Sequence, residues 1–292
     1  MKKDDIWLLI DLDRTLLPNG RVEESPLARP LFLELARRPQ LHLVYVSGRH
    51  EGLLKQAISN YDLPVPDYAI GDVGTTIFEP RPGGWHHLAD WEDEISRDWH
   101  GRSHADLTVL LADFSALRLQ ESAKQNAYKL SYYTVPRLDY RPLLAAVRQR
   151  LEKEGVRASL VYSTDEMKEI GLLDVLPEKA TKMHAIRFLL HRQGISERRA
   201  VYAGDSGNDL PVLTSGLQAI LVRNASEAVR QEALEKVKAK GLRDRLYLAR
   251  GNIPGLNGNY AAGVLEGVAH FFPEVRQWLQ KVLLERSGKL CR

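Results

Sequence analysis

The chain has 292 residues, 44% of them apolar and 27% charged, a balance that suits one large folded domain or two modest ones and excludes general disorder. Its 41 Lys and Arg against 38 Asp and Glu leave a net charge of +3, and the basic residues are scattered rather than gathered with aromatics into a stripe, so nucleic acid is not an expected partner. No apolar run approaches the ~20 residues that span a bilayer, the opening MKKDDIWLLIDLDRT carries charge on both sides of too short an apolar run for a signal peptide, and the lone Cys291 excludes an internal disulfide framework or a cysteine-based zinc site. A cytoplasmic protein without membrane contact is expected.

In chain order, the apolar run Ile6–Ile10 predicts a strand buried on both faces. Helical spacing comes next over 26–38, then a strand over Leu41–Val46 and a helix over 51–61, an alternation that predicts βαβ units and a parallel sheet. A hairpin-like stretch at 74–79 precedes Pro80, Pro82, Gly83 and Gly84, which punctuate the chain strongly and mark a domain boundary. Between about 83 and 177 the order changes: a helix over 91–112, strands LRLQ and KLSYYTV, a helix over 140–154, then strands RASLVYS and EIGLLDVL. Helix, two strands, helix, two strands describes an α+β module inserted into the first domain. After Pro177 the first pattern returns with a helix over 181–193, the strand RAVYAG, a short helix from Asn208, the strand LQAILV, and helices over 226–240 and 260–272. The expected architecture is α/β, with a Rossmann-like parallel-sheet core of 1–82 and 178–292 and an inserted α+β domain of 83–177. There is no internal repeat and no low-complexity segment.

The stretch LIDLDRTLL sets Asp11 and Asp13 two positions apart at the end of the first strand, at the sheet edge where open α/β sheets bind ligands. Strand geometry would put both acids on one side. YAGDSGNDL repeats the device, with Asp205 after an apolar strand and Asp209 four residues on. A single Asp after a strand commonly caps the next helix or turn, but capping does not account for paired acids at two strand ends. Such carboxylates repel one another unless a cation sits among them, and a hard ion with oxygen ligands, Mg²⁺ retaining several waters, meets that demand. VYVSGRH sets Ser47 at the end of the second strand, where its hydroxyl and the following backbone N–H groups could donate to phosphate, although Ser-Gly after a strand is also an ordinary turn. Lys182, at the start of the helix TKMHAIRFLL, would be an unremarkable surface lysine except that it stands where the chain returns to its first domain.

Taken together, DLDRT, SGR, Lys182 and GDSGND resemble, in order, the four motifs of the haloacid-dehalogenase-like phosphatases. The resemblance covers the whole chain, because that family carries its type-two cap between the second and third motifs, and the helix and strand order of the insertion is that of the smaller, IIB subtype. Within the family the chain is similar to the sucrose-phosphate phosphatase group through WEDEI from Trp91, KLSYY at 129–133, LDVLP before Lys182, and NYAAGVLEGVAHFF. It departs from that group at Thr76, where Glu is expected in GTEI, and at Met183, where Gly usually follows the third-motif lysine. Both departures bear on the sugar rather than on phosphoryl chemistry.

The resemblance implies that Asp11 attacks phosphorus to give an aspartyl phosphate and that Asp13 protonates the leaving oxygen and then deprotonates the hydrolytic water. It implies Mg²⁺ held by Asp11, the Asp13 backbone carbonyl and Asp205, with Asp209 in support, and a phosphate site of Thr15, Ser47, Gly48, Lys182 and Asn208. Gln125, Lys129 and Ser131 are candidates for contacts with substrate hydroxyls, against the plainer reading that KLSYY is a strand whose alternate residues pack. The expected partner is a small-molecule sugar phosphate, sucrose 6-phosphate first, with mannosylfructose phosphate, glucosylglycerol phosphate and hexose phosphates as alternatives. A phosphomutase, and a non-catalytic domain that binds a sugar phosphate beside a sugar-phosphate synthase, are the competing classes.

Overall fold

The structure, a computed structural model, describes residues 5–135, 139–165 and 170–290. Cys291 and Glu169, the first residue of the expected strand EIGLLDVL, lie outside the described residues. In chain order the elements are β1 (Ile6–Ile10), α1 (Ala28–Ala36), β2 (Leu41–Val46), α2 (Glu51–Asn60), β3 (Tyr68–Gly71), β4 (Thr76–Arg81), β5 (Gly84–His87), α3 (Ala89–Ser96), α4 (His104–Leu110), β6 (Leu117–Leu119) and β7 (Leu130–Thr134). They continue with α5 (Tyr140–Lys153), β8 (Ala158–Asp165), β9 (Ile170–Pro177), α6 (Lys182–Arg192), β10 (Ala200–Gly204), α7 (Leu210–Leu213), β11 (Gln218–Leu221), α8 (Glu227–Ala239), β12 (Leu246–Leu248), α9 (Ala261–Phe271) and α10 (Pro273–Leu290). The chain divides into two compact units, one of Met1–Ser47, Lys55–Ala69 and Leu189–Arg292, the other of Gly48–Leu54 and Ile70–Phe188.

In the first unit the strands lie in the order β12-β11-β10-β1-β2-β3, and β1 pairs in parallel with β10 on one side and β2 on the other. Strands β10, β11 and β12 continue the parallel run. All five residues of β1 and all five of β10 are buried, which is why the sequence there is continuously apolar instead of alternating. The chain builds outward from β1 in one direction and from β10 in the other, so the carboxyl ends of these neighbours form a topological switch point, where open α/β sheets hold ligands. Helix α9 is buried from Ala261 to Ala269. Its small residues let it lie close on the sheet: a Cβ on Gly267 would come within 2.3 Å of the Ile220 side chain. Strands β3 and β12 and helix α10 are additions to the sequence-based expectation. Among the described residues no helix is long and apolar enough to cross a membrane.

The second unit contains the β4-β5 antiparallel hairpin and an antiparallel four-stranded sheet in the order β6-β7-β9-β8. Leu130 and Tyr132 of β7 and Leu173 and Val175 of β9 share a core with Leu107 and Leu111 and with Leu143, Val147 and Leu151 of α5. The two-residue strand period and the helical period are both visible in that set. The helix expected over 91–112 is divided. His100 (φ 51°) and Gly101 (φ 78°) are left-handed, and a capping box between Ser103 and Asp106 starts α4 afresh. The break lets Asp98, wholly buried, accept hydrogen bonds from the Arg157 guanidinium (2.6 Å) and the Lys179 N–H (2.7 Å).

Candidate active site

Parallel register fixes the first part of the site. Ile10 stands beside Ala203, and the Asp11 N–H donates to the Ala203 carbonyl at 3.0 Å, so the residues after β1 and β10 emerge together. Asp11, Asp205 and Asp209 are all buried, and each offers a carboxylate oxygen within 4.8 Å of the others. Desolvated carboxylates this close repel strongly. Burial pushes the Asp205 carboxyl up from its ordinary value, while hydrogen bonding and charge from Arg14 pull it down. An all-oxygen anionic trio fits a hard divalent cation such as Mg²⁺.

The three acids are not equivalent. Asp209 is fully buried, and both its oxygens have protein donors: the Tyr202 hydroxyl at 2.6 Å on Oδ1, and the N–H groups of Asp205 (3.2 Å) and Ser206 (3.1 Å) on Oδ2. It braces the loop that carries Asp205. The Tyr202 hydroxyl is held well above its ordinary pKa, first by burial and then by Asp209, so it remains a donor. Tyr202 is a residue that sequence reasoning missed, since one tyrosine in a buried strand reads only as core.

Strand β1 ends at Ile10, so Asp11 and Asp13 are not alternate positions of one strand. Asp13 instead lies in a tight turn in which the Leu12 carbonyl accepts from the N–H groups of Thr15, Leu16 and Leu17 at 3.3, 3.0 and 2.8 Å. Buried Leu12, Leu16 and Leu17 anchor this turn. Arg14, between Asp13 and Thr15, is left-handed at φ 59°, and its Nε and Nη2 donate to Asp205 Oδ2 at 3.0 and 2.8 Å. The Thr15 hydroxyl donates to Asp205 Oδ1 at 3.3 Å, so the structure sets it on the acid cluster. Asn19 Nδ2 donates to Asp13 Oδ1 at 2.7 Å. Asn208 is exposed and its Oδ1 accepts from the Ser206 hydroxyl at 2.9 Å. Ser47, directly after β2, is buried.

Gly48 and Lys182 belong to the second unit. Lys182, the first residue of α6, is only 5% exposed, which a solvated surface lysine would not be. A run of three left-handed residues, Asp72, Val73 and Gly74, lies against this helix start. A Cβ on Gly74 would meet the Thr181 carbonyl carbon at 2.6 Å and the Lys182 nitrogen at 2.8 Å, so only glycine fits there. Asp72 is buried, and desolvation raises its carboxyl pKa while the Lys129 charge and the Asn126 amide lower it. Lys129 Nζ stands 4.0 Å from Asp72 Oδ1 and 3.2 Å from the Lys124 carbonyl.

The other two residues of the expected sugar contact are engaged inside the second unit. Ser131 is fully buried and its hydroxyl bonds Asp174 Oδ1 across the β7-β9 pair at 2.5 Å. Gln125 Nε2 donates to the Ser131 carbonyl (2.8 Å) and the Gln120 carbonyl (3.1 Å), and its Oε1 accepts from the Ser131 N–H at 2.8 Å. Thr76 is buried beside Thr75, whose hydroxyl accepts from Asn126 Nδ2 at 2.9 Å. Asp72 and Asn126 went unnoticed in the sequence, because nothing local marks them as neighbours of Lys129.

Residues 5–272 match the family described as sucrose-6F-phosphate phosphohydrolase. The chain is 58% identical over 278 residues to a HAD-like hydrolase of Nitrosococcus oceani, covering 95% of this chain and 75% of that one. It is 26% identical over 275 residues to Probable sucrose-phosphatase 1 of Arabidopsis thaliana, covering 91% of this chain and 59% of that one. The crystal structure of the sucrose-phosphatase from Synechocystis sp. PCC6803, in complex with sucrose and phosphate, superposes with a TM-score of 0.68 at 24% identity, covering 93% of this chain and 98% of that one. That last likeness establishes the α/β fold of this protein.

Proposed function

The chain belongs to the sucrose-6F-phosphate phosphohydrolase family, and from that premise we propose that it is a Mg²⁺-dependent phosphomonoesterase acting on a phosphorylated disaccharide, sucrose 6-phosphate first. The observation that carries this reading is the buried trio Asp11, Asp205 and Asp209, with ligand oxygens within 4.8 Å of one another at the switch point of the sheet. In the first half-reaction an Asp11 carboxylate oxygen attacks phosphorus, the ester P–O bond breaks, and the departing sugar oxygen takes a proton from Asp13. In the second, Asp13 takes a proton from water, whose oxygen attacks phosphorus and releases Asp11 and inorganic phosphate. Mg²⁺, when bound by Asp11 and Asp205, neutralises charge gathering on the phosphoryl oxygens. Ser47 and Lys182, with backbone N–H groups of the same motifs, donate to those oxygens. Asp209 and Tyr202 keep Asp205 in place.

Selectivity on this reading falls to the second unit, where Lys129 with Asp72 offers a donor and an acceptor suited to sugar hydroxyls. Ser131 and Gln125 serve behind them as braces. A second sugar ring brings hydroxyls that Lys129 and Asp72 can hydrogen-bond, and a site built to hydrogen-bond a hydroxyl discriminates against a substrate that lacks it by ~10⁴ or more. The test is a phosphate-release panel with and without Mg²⁺, using Asp11→Asn as the blank. Sucrose 6-phosphate should be hydrolysed with a far higher kcat/KM than glucose 6-phosphate or fructose 6-phosphate. Equal turnover of the monosaccharide esters would refute the disaccharide assignment, and no Mg²⁺-dependent phosphate release from any of them would refute the phosphatase reading.

A further inference from the structure

We infer that Asn19 is a positioning residue that decides which oxygen of Asp13 carries the catalytic proton; the inference rests on the phosphatase reading above. Asn19 lies six residues beyond Asp13 and is exposed, so it contributes nothing to the core. Its side chain nevertheless makes two directed contacts. The Asn19 Oδ1 accepts from the Arg14 N–H at 2.8 Å, and its Nδ2 donates to Asp13 Oδ1 at 2.7 Å.

The first contact fixes the sense of the second. A peptide N–H can only donate, so the amide oxygen must face Arg14 and the NH₂ group must face Asp13. The Arg14 peptide is itself held at both ends. Its residue is left-handed at φ 59°, its carbonyl accepts from Asn224 Nδ2 at 2.6 Å, and Asn224 Oδ1 in turn accepts from the Tyr260 N–H at 2.9 Å. Asn19 therefore reads the geometry of a pinned loop and transfers it to Asp13.

The Asn19 NH₂ group takes up one acceptor direction on Asp13 Oδ1, and a carbonyl oxygen accepts more strongly than a hydroxyl oxygen, so the bond favours the form of the acid with its transferable proton on Oδ2 and Oδ1 as acceptor. One hydrogen bond thus orients the carboxyl and names its reactive oxygen, which is what a general acid needs in order to meet a leaving group at hydrogen-bond range.

Two substitutions separate this role from simple bracing of the loop. Asn19→Ala removes both contacts, whereas Asn19→Asp keeps an acceptor for the Arg14 N–H and removes the donor to Asp13. Each is assayed for kcat/KM, which reports the steps through departure of the leaving group, with 4-nitrophenyl phosphate and with the sugar phosphate that the wild type hydrolyses best. A nitrophenolate departs without protonation and a sugar alkoxide does not. Both variants should lose roughly tenfold or more with the sugar phosphate and stay within about twofold of wild type with the aryl phosphate, since a directed hydrogen bond to a charged group is at stake only when the acid acts. Equal losses on the two esters, no loss on either, or an Asn19→Asp variant that retains wild-type sugar phosphate activity would each overturn the inference. A wild-type chain that hydrolyses neither ester would overturn the phosphatase reading and the inference with it. A wild type active on both, with variants that fail the pattern, would overturn the inference alone.

Discussion

GDSGND contains two glycines three residues apart, and the structure assigns them opposite tolerances. A Cβ on Gly204 would lie 2.7 Å from both Cβ and Cγ of Asp209 and 2.9 Å from its Oδ2, roughly 0.7 Å inside ordinary van der Waals contact. Asp209 cannot step aside freely, because Tyr202, Asp205 and Ser206 hold its carboxylate. Strand β10 cannot shift either, paired as it is with β1 and β11. Overpacking costs ~1–3 kcal/mol, and losing one hydrogen bond to a charged group ~1.5–3 kcal/mol. Gly204→Ala draws on both in part, for about 2–4 kcal/mol, or a fall in Tm of roughly 5–15 °C. A Cβ on Gly207 meets nothing within 4 Å, and Gly207→Ala should melt within about 2 °C of wild type. Thermal melts with and without Mg²⁺ check both variants, and the Gly204→Ala protein should also lose most of its Mg²⁺-induced rise in Tm. A Gly204→Ala protein that melts with the wild type and keeps its full response to Mg²⁺ would refute the packing argument and the claim that Asp209 supports the cation site.

Two further substitutions test charge rather than packing. Arg14→Gly relieves a left-handed φ that costs an L side chain ~1 kcal/mol and removes the guanidinium from Asp205 Oδ2; Mg²⁺ titrated by calorimetry should bind severalfold more tightly, and unchanged or weaker binding would mean that Arg14 does not compete with the cation. Lys129→Met strips the cation from buried Asp72, so KM for the sugar phosphate should rise about tenfold or more while 4-nitrophenyl phosphate is hydrolysed nearly as before; equal effects on both esters would place Lys129 outside sugar recognition.

How much of the molecule is legible in its sequence depends on how far apart the cooperating residues lie. The two-sided burial of β1 and β10 leaves a local mark, an unbroken apolar run, and acids that come directly after such runs stand out against it. The break between α3 and α4 is also locally encoded, in Gly101 and the Ser103–Asp106 box, but the apolar spacing across it invites a single helix. Periodicity outweighed punctuation there. Arg14 and Asp205 are a different case. They are 191 residues apart, and an arginine in DLDRT carries no sign of its partner until strand register brings Ile10 beside Ala203. The same holds in the second unit, where pairing with β9 sets Ser131 opposite Asp174, and where Asp72 gains meaning only through Lys129. Phosphoryl transfer needs fixed residue types at strand ends, so its chemistry stays in the local sequence. Selection of a leaving group depends on which side chains the fold brings face to face, so the motifs of the family can be read from the chain while a pair such as Asp72 and Lys129 emerges only from the fold.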